Sequence, residues 1–383
     1  MTEASLPERG GSEPAFRRRI VELFRLADVE IDGGRPWDIR VNDPSFFRRA
    51  LLEGALGMGE AYMAGLWDCD RLDELFHRVV RARLHQKVPT AFDLWEALKA
   101  RLFNRQSRAR AFEVGEKHYD IGNDLYRRML DKQMLYTCAY WRWGAADLDQ
   151  AQQAKVELIC RKIALRPGMK ILDLGCGWAG FSKYAAENFG ASAVALTVSR
   201  EQVELGKELC RGLPVDIRLQ DYREAEGQYD RVVAIGLLEH VGPKNYRAFM
   251  RRVHRCLKPD GLALFHTIGT NVSSVGMNPW TDKYVFPNAV IPSVRQLAGA
   301  MEGLFAVEDW HNFGADYDPT LMAWWRNFDA AWPELRANYG ERFYRMWKYY
   351  LLQSAGAFRA RYMQLWQVVV SPGGVPGGYV SVR

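Results

Sequence analysis

Apolar and polar positions alternate with different periods along the chain. Phe16, Ile20, Leu23, Phe24 and Ala27 recur at three- and four-residue spacing, which predicts an amphipathic helix. Ile39-Arg40-Val41 reads as a short strand, and Asp43-Pro44-Ser45 opens a second helix through Leu52, with proline near its first turn. Gly54, Gly57 and Gly59 break the pattern. A third helix is expected from Leu72 to about Leu84, with Leu75, Phe76, Val79 and Val80 facing inward. Residues 1–90 thus form a small, mainly helical N-terminal domain, and residues 91–111 a linker.

From Phe112 the texture changes, and 112–383 reads as a second domain. Helical and strand patterns alternate: helix 148–165, strand 169–174, helix 180–189, strand 192–198, helix 200–210, strands 214–220 and 229–235, helix 244–257, strand 261–267. That alternation predicts an α/β fold, a parallel sheet with helices on both faces. Ligands of such sheets sit at the carboxyl ends of the strands. After His266 the alternation stops. An insert over 270–292 precedes helical patterns at Val294–Glu302, Tyr317–Asn338 and Glu341–Arg361, and Leu365–Val370 is the expected closing strand.

Composition bounds the class. With 383 residues, 48% of them hydrophobic, the chain can bury one large core and a smaller one. No apolar run is long enough for a transmembrane helix, and the first residues lack the pattern of a signal peptide. The six cysteines contain no C-x-x-C pair, so free thiols in a reducing, cytoplasmic setting are expected and structural zinc is not. The net charge of +6 is concentrated: between Arg78 and Arg110 nine basic residues face only Asp93 and Glu96. Such a segment is either a solvated helix face or a patch for an anionic surface.

The chemistry centres on Ile171-Leu172-Asp173-Leu174-Gly175-Cys176-Gly177-Trp178-Ala179-Gly180, a buried strand running into a glycine turn and a helix. A helix N-terminus offers unpaired N–H groups and the positive end of its dipole. Gly175, Gly177 and Gly180 match the G-x-G-x-x-G dinucleotide fingerprint. Asp173, two residues before the first glycine, matches instead the D-x-G-x-G turn of S-adenosylmethionine methyltransferases. A dinucleotide site wants an acid about 20 residues further on. Leu196-Thr197-Val198-Ser199 supplies none, although Thr197 and Gln202 can offer weaker ribose contacts. Asp221 ends the third strand, where it can accept adenine amino hydrogens. The balance favours S-adenosylmethionine.

Several segments then point to one family: MLYTCAYW at 134–141, QQAK at 152–155, LDLGCGWAG at 172–180, EHVGPKNY at 239–246, HTIG at 266–269, DWHNFGADY at 309–317 and GAFRAR at 356–361. Over nearly its whole length the chain resembles the cyclopropane-fatty-acyl-phospholipid synthases. The glycine turn is generic, whereas MLYTCAYW and EHVGPKNY together are specific. The resemblance implies a Rossmann-like methyltransferase sheet and transfer of a methylene from S-adenosylmethionine to a cis double bond in a membrane phospholipid. It implies bound bicarbonate as the base, held by Glu239, His266 and Tyr317 and by the backbone of Cys138 and Ile268. For the cofactor it points to Tyr136, Thr137, Gly175, Gly177, Thr197, Gln202, Asp221 and Tyr222, beside Asp173. It also implies a homodimer.

With a phospholipid substrate, the basic stretch reads as docking the enzyme on the inner face of the cell membrane; no nucleic-acid motif is present. Two departures stand out. The turn reads W-A-G where relatives often have W-G-G, and Ser354 replaces a cysteine, which argues against a covalent thiol step. His240 is read as structural, on the side of its strand opposite Glu239. The alternatives are a fatty-acyl methyltransferase with a methyl-branched product and a lipid-binding protein without activity; the intact set Cys138, Glu239, His266 and Tyr317 speaks against the latter.

Overall fold

A computed structural model describes residues 13–84, 87, 106 and 122–383. Most of the expected linker, including Arg101, Arg105, Arg108 and Arg110, lies outside the described residues, as does the start of the second domain.

The N-terminal layer holds helices α1 (Glu13–Arg25), α2 (Ser45–Leu52), α3 (Gly54–Met63) and α4 (Leu72–Arg81), with a two-stranded antiparallel ribbon, β1 (Arg40–Val41) and β2 (Trp67–Asp68). The expected break at Gly54, Gly57 and Gly59 is instead helix α3. Its glycines serve close packing: a Cβ at Gly57 would lie 2.2 Å from the Arg49 carbonyl oxygen, and one at Gly59 would lie 2.2 Å from the Trp280 ring. Local propensity disfavours glycine in helices, and packing overrides it here.

The second domain follows as α5 (Asn123–Met129), α6 (Leu148–Lys162), β3 (Lys170–Leu174), α7 (Gly180–Phe189), β4 (Ser192–Thr197), α8 (Arg200–Leu209), β5 (Val215–Leu219) and β6 (Tyr229–Ile235). Then come α9 (Leu238–Val241), α10 (Tyr246–Cys256), β7 (Leu257–Thr270), α11 (Pro279–Tyr284), α12 (Val294–Met301), β8 (Ala306–Asn312), α13 (Tyr317–Arg359) and β9 (Met363–Ser371). The seven strands run in the order β5-β4-β3-β6-β7-β9-β8. The first five are parallel, whereas β9 pairs antiparallel with both β7 and β8. The sheet is therefore mixed rather than wholly parallel, and β8 is a strand that the hydrophobic pattern did not predict. Alternate residues of β3 enter opposite cores: Leu172 and Leu174 meet Phe249 and Met250 on one side, while Ile171 meets Val156, Ile159 and Phe181 on the other. This is the period-two geometry of a strand covered on both faces.

The two expected C-terminal helices are the halves of α13, folded back on itself at Gly340, whose φ is +73°. A straight helix of this length would span roughly 65 Å. Here Arg359 Nε lies 2.8 Å from Asp318 Oδ2, 41 residues away, so the two ends meet. Arg359 also donates to Asp73 of α4 at 2.8 Å. Gly356 allows the helices to touch, since a Cβ there would lie 2.5 Å from the Asp73 carbonyl oxygen. The GAFRAR segment is thus a clamp between the helical layer and the sheet domain.

Candidate active site

The glycine turn forms at the end of β3. Gly175 and Gly177 take φ of +76° and +56°, and the Gly175 and Cys176 N–H groups both donate to the Leu196 carbonyl at 2.9 Å. Ala179 also sits at a left-handed φ of +64°. Glycine would be easier there by about 1 kcal/mol, less the entropy that glycine loses on folding, so alanine at this place of the motif is nearly neutral. Gly180 opens α7 against the Gln133 carbonyl, which a Cβ would approach to 2.2 Å. Asp173 is buried. Its Oδ2 accepts from Ser182 Oγ at 2.8 Å, and its Oδ1 has no partner among the described residues. Burial pushes this carboxyl up to about 7 despite the Ser182 hydrogen bond and the nearby Lys155 charge.

A cavity of ≈ 170 Å³ lies above this turn, and all nine candidate cofactor residues line it: Tyr136, Thr137, Asp173, Gly175, Gly177, Thr197, Gln202, Asp221 and Tyr222. Thr197 Oγ1 donates to Gln202 Oε1 at 2.6 Å, and Ser199 caps α8 by accepting the Gln202 N–H. Asp221 is less open than its strand-end position suggests: Oδ1 accepts the Arg223 N–H and Oδ2 accepts from the Arg223 guanidinium, both at 2.8 Å. That guanidinium also stacks over Tyr222 at 4.6 Å and donates to the Gln106 carbonyl at 2.8 Å.

A second cavity, of ≈ 490 Å³, adjoins the first and shares Tyr136, Thr137, Gly236 and His240 with it. It is mostly apolar. Ile20, Leu23 and Phe24 of α1 and Leu75, Phe76 and Val79 of α4 form one side, and Leu321, Phe358 and Leu365 belong to the other. Ser354 lines it as well. Glu239, His266, Ile268 and Tyr317 stand at its polar end. Cys138 does not line it. Its thiol is buried, donates to the Ala139 carbonyl at 3.3 Å, and is held well above its usual pKa by desolvation, so it stays protonated.

The polar end is made by strand ends and the short helix α9. Glu239 Oε1 accepts the Ile268 N–H at 2.6 Å, so that N–H is already committed to the carboxylate. Glu239 Oε2 and His266 Nε2 are buried without a hydrogen-bond partner among the described residues. Desolvation pushes the Glu239 carboxyl up to about 7 and holds His266 well below the usual imidazole value, so His266 is neutral. Tyr317 stacks on Phe358 at 4.4 Å and meets Trp324 edge-on at 6.0 Å. The Tyr136 and Tyr350 hydroxyls are 2.8 Å apart. A buried carboxyl, a neutral imidazole and stacked rings at the head of an apolar chamber can hold a small anion and surround a cation.

Some functional positions escaped the sequence reading. His240 is not on a continuing strand but in α9, where it lines both cavities, and burial lowers it to about 4. Lys155 is fully buried in α6 and donates to Thr137 Oγ1 at 2.9 Å; desolvation lowers it to about 8, opposed by Asp131, Cys138 and Asp173. The available signal was a lysine on the inward face of that helix, four residues after Ala151 and four before Ile159. Gln106 and Asn288 also line the smaller cavity, and Gln106 Nε2 donates to the Asn288 carbonyl at 2.5 Å.

A family model described as mycolic acid cyclopropane synthetase matches residues 106–368. The chain is 52% identical over 374 residues to the cyclopropane-fatty-acyl-phospholipid synthase of Escherichia coli K12, covering 97% of this chain and 98% of that one. It is 34% identical to a probable fatty acid methyltransferase of Pseudomonas putida over 66% of this chain and 67% of the relative. Among solved structures, the cyclopropane synthase MmaA2 of Mycobacterium tuberculosis superposes with a TM-score of 0.64 at 28% identity, covering 68% of this chain and 97% of that one. The mycolic acid cyclopropane synthase CmaA1, complexed with SAH and CTAB, gives the same score at 29% identity, with the same shares covered.

Proposed function

The chain belongs to the mycolic acid cyclopropane synthetase family, a family of S-adenosylmethionine-dependent methyltransferases, and from that premise we propose that it adds a methylene across the cis double bond of acyl chains in membrane phospholipids. The observation that carries this reading is the pair of adjoining cavities, a smaller one over the glycine turn and a larger, mostly apolar one, which share Tyr136, Thr137, Gly236 and His240.

S-adenosylmethionine supplies an electrophilic methyl. The partnerless Asp173 Oδ1 and the glycine cradle fit this cofactor, which Thr197 and Gln202 would hold at its ribose and Asp221 and Tyr222 at its base. An alkene is a weak nucleophile, so the apolar chamber must hold it close and in line, and this chain's part is positioning. The carbon left cationic needs π-rich, water-free surroundings. Tyr317, Phe358 and Tyr136 line that chamber, and Trp324 meets Tyr317 from behind. Bicarbonate would supply the acceptor for the proton lost on ring closure. Two buried atoms without partners, Glu239 Oε2 and His266 Nε2, fit it, and a carboxyl raised to about 7 can donate to an anion rather than repel it.

The carboxyl of Asp173 makes this reading testable by pH. A proton on Asp173 competes with a cationic ligand. Cofactor affinity, measured by calorimetry, is therefore expected to weaken as pH falls through about 7, by up to about tenfold per pH unit. Asp173→Asn should bind weakly with a flat profile; a wild-type affinity constant from pH 8 to pH 5.5 contradicts the assignment.

The reaction itself is tested with S-adenosylmethionine and vesicles of unsaturated anionic phospholipid, followed by mass spectrometry of the acyl chains. Ring-containing chains heavier by one methylene support the proposal. A methyl-branched chain supports the fatty-acyl methyltransferase instead, and unchanged lipid leaves only a binding role. The reading includes a homodimer on the cytoplasmic face of the membrane. Among the described residues no helix is long and apolar enough to cross a membrane. Docking through the basic stretch at 78–110 requires vesicle binding that weakens with salt.

A further inference from the structure

Gln367, on β9, lies directly across the sheet from His266 on β7 and from His311 on β8. Directly opposed residues of an antiparallel sheet project from the same face, so one amide stands between two imidazoles. Gln367 is fully buried, and His266 is 1% exposed. The Gln367 Nε2 lies 3.3 Å from His266 Nδ1, while its Oε1 has no partner among the described residues. The far imidazole is set by a different donor: Lys162 Nζ, 3.0 Å away and paired with Asp309 at 3.1 Å, points at His311 Nδ1.

A buried amide nitrogen can only donate, so a nitrogen facing it must accept. A neutral imidazole whose Nδ1 accepts carries its proton on Nε2. The His266 Nε2 is buried without a partner among the described residues, as is Glu239 Oε2, and both residues line the larger cavity. With the amide reversed, Nδ1 would carry the proton and Nε2 would hold a bare lone pair, with no donor left for an anion. We propose that Gln367 is a positioning residue, which donates to His266 Nδ1 and so fixes the ring as the Nε2–H tautomer that presents a donor to the anion pocket. This rests on the anion reading given above only for its consequence in catalysis, since the tautomer itself is set by residues of this chain. At metal-binding histidines, groups that fix the ring typically contribute 10- to 100-fold to affinity or activity, and the same scale is expected here.

The test is nitrogen NMR of the full-length protein labelled with ¹⁵N-histidine, with the His266 signals identified by their loss in His266→Asn. In the wild type the unprotonated nitrogen of His266 is expected at Nδ1. Gln367→Glu replaces the donor with an acceptor and should move the unprotonated position to Nε2. Turnover should fall about 100-fold while KM for S-adenosylmethionine stays within about twofold. Gln367→Met, which keeps the shape without a donor, should give a mixture of tautomers and an intermediate turnover. Circular dichroism and gel filtration establish that each variant is folded before its spectrum is read. A wild-type spectrum with Nε2 unprotonated overturns the proposal. So does a folded Gln367→Glu protein whose His266 signals are unchanged. Because the spectra are recorded without added bicarbonate, they succeed or fail independently of the anion reading, which turnover against bicarbonate concentration addresses separately.

Discussion

Glu239→Ala is expected to lower turnover by roughly a thousandfold, the scale of losing a positioned acid–base group, while cofactor affinity changes by less than about threefold. The separation follows from where the carboxyl stands: it lines the apolar chamber and not the smaller cavity over the glycine turn. The two activities are read by single-turnover kinetics and by calorimetry with S-adenosylmethionine. Collapse of cofactor binding with the chemistry would show that the two chambers have been given the wrong roles. Stability moves in a pH-dependent way. The folded protein raises this carboxyl from its usual value near 4.5 to about 7, so its protonated form is favoured by folding. That contribution is fully present below about 4.5 and is lost as pH rises through 7, leaving a penalty of ~3 kcal/mol above it. Removing the side chain leaves the Ile268 N–H without its acceptor, which costs about 1–3 kcal/mol at any pH. Urea midpoints should therefore place the variant below the wild type at pH 5 and bring it level or above at pH 8.

Arg359→Met is expected to cost at least ~3 kcal/mol, because it leaves two carboxylates without the cation they share. Arg359 holds Asp318 through two nitrogens at 2.8 and 3.0 Å and Asp73 through a third at 2.8 Å, and the Asp73 side chain is only 2% exposed. Arg71 remains beside Asp73 but is half exposed and cannot replace the buried partner. Despite its burial, Asp73 is held down at about 2 by hydrogen bonds from Arg71 and Arg359. The linkage has a definite sign: this carboxylate stabilises the fold above its unfolded value near 3.8, and the contribution is lost as pH falls through about 2. Arg359→Met should thus lose stability at neutral pH and show a flatter acid limb between about pH 4 and 2, read by thermal melts. Arg359→Lys keeps the charge but not the three-point fork and should recover only part of the loss. Because α4 supplies Leu75, Phe76 and Val79 to the apolar chamber, lipid turnover should fall further than cofactor binding. An unchanged melt at pH 7 would sink the clamp.

Much of the site was legible because its signals are local. The Ile171–Gly180 stretch announces a strand, a turn with positive φ and a helix start within ten residues, and the nine cofactor candidates do line one cavity. The readings that failed depend on what a residue meets across the fold. The glycines of α3 looked like a break because their reason is the Arg49 carbonyl and the Trp280 ring, and Trp280 lies more than two hundred residues away. His240 looked structural because α9 interrupts the expected strand and turns both Glu239 and His240 towards the chambers. Strand β8 carries a charged, irregular sequence with a register shift at Val307/Asp309, so no period-two pattern marks it. Asp221 follows its strand as expected, but the folded turn commits its carboxylate to Arg223, two residues on.

The wall formed by Tyr136, Thr137, Gly236 and His240 has a thermodynamic consequence. The same four residues line both chambers, so they are where an occupant of one can act on an occupant of the other. By linkage, any factor by which a filled apolar chamber changes affinity on the other side is returned identically in the opposite direction. A substitution in this wall is therefore read by measuring each affinity with the other chamber empty and filled, and the difference is the coupling free energy.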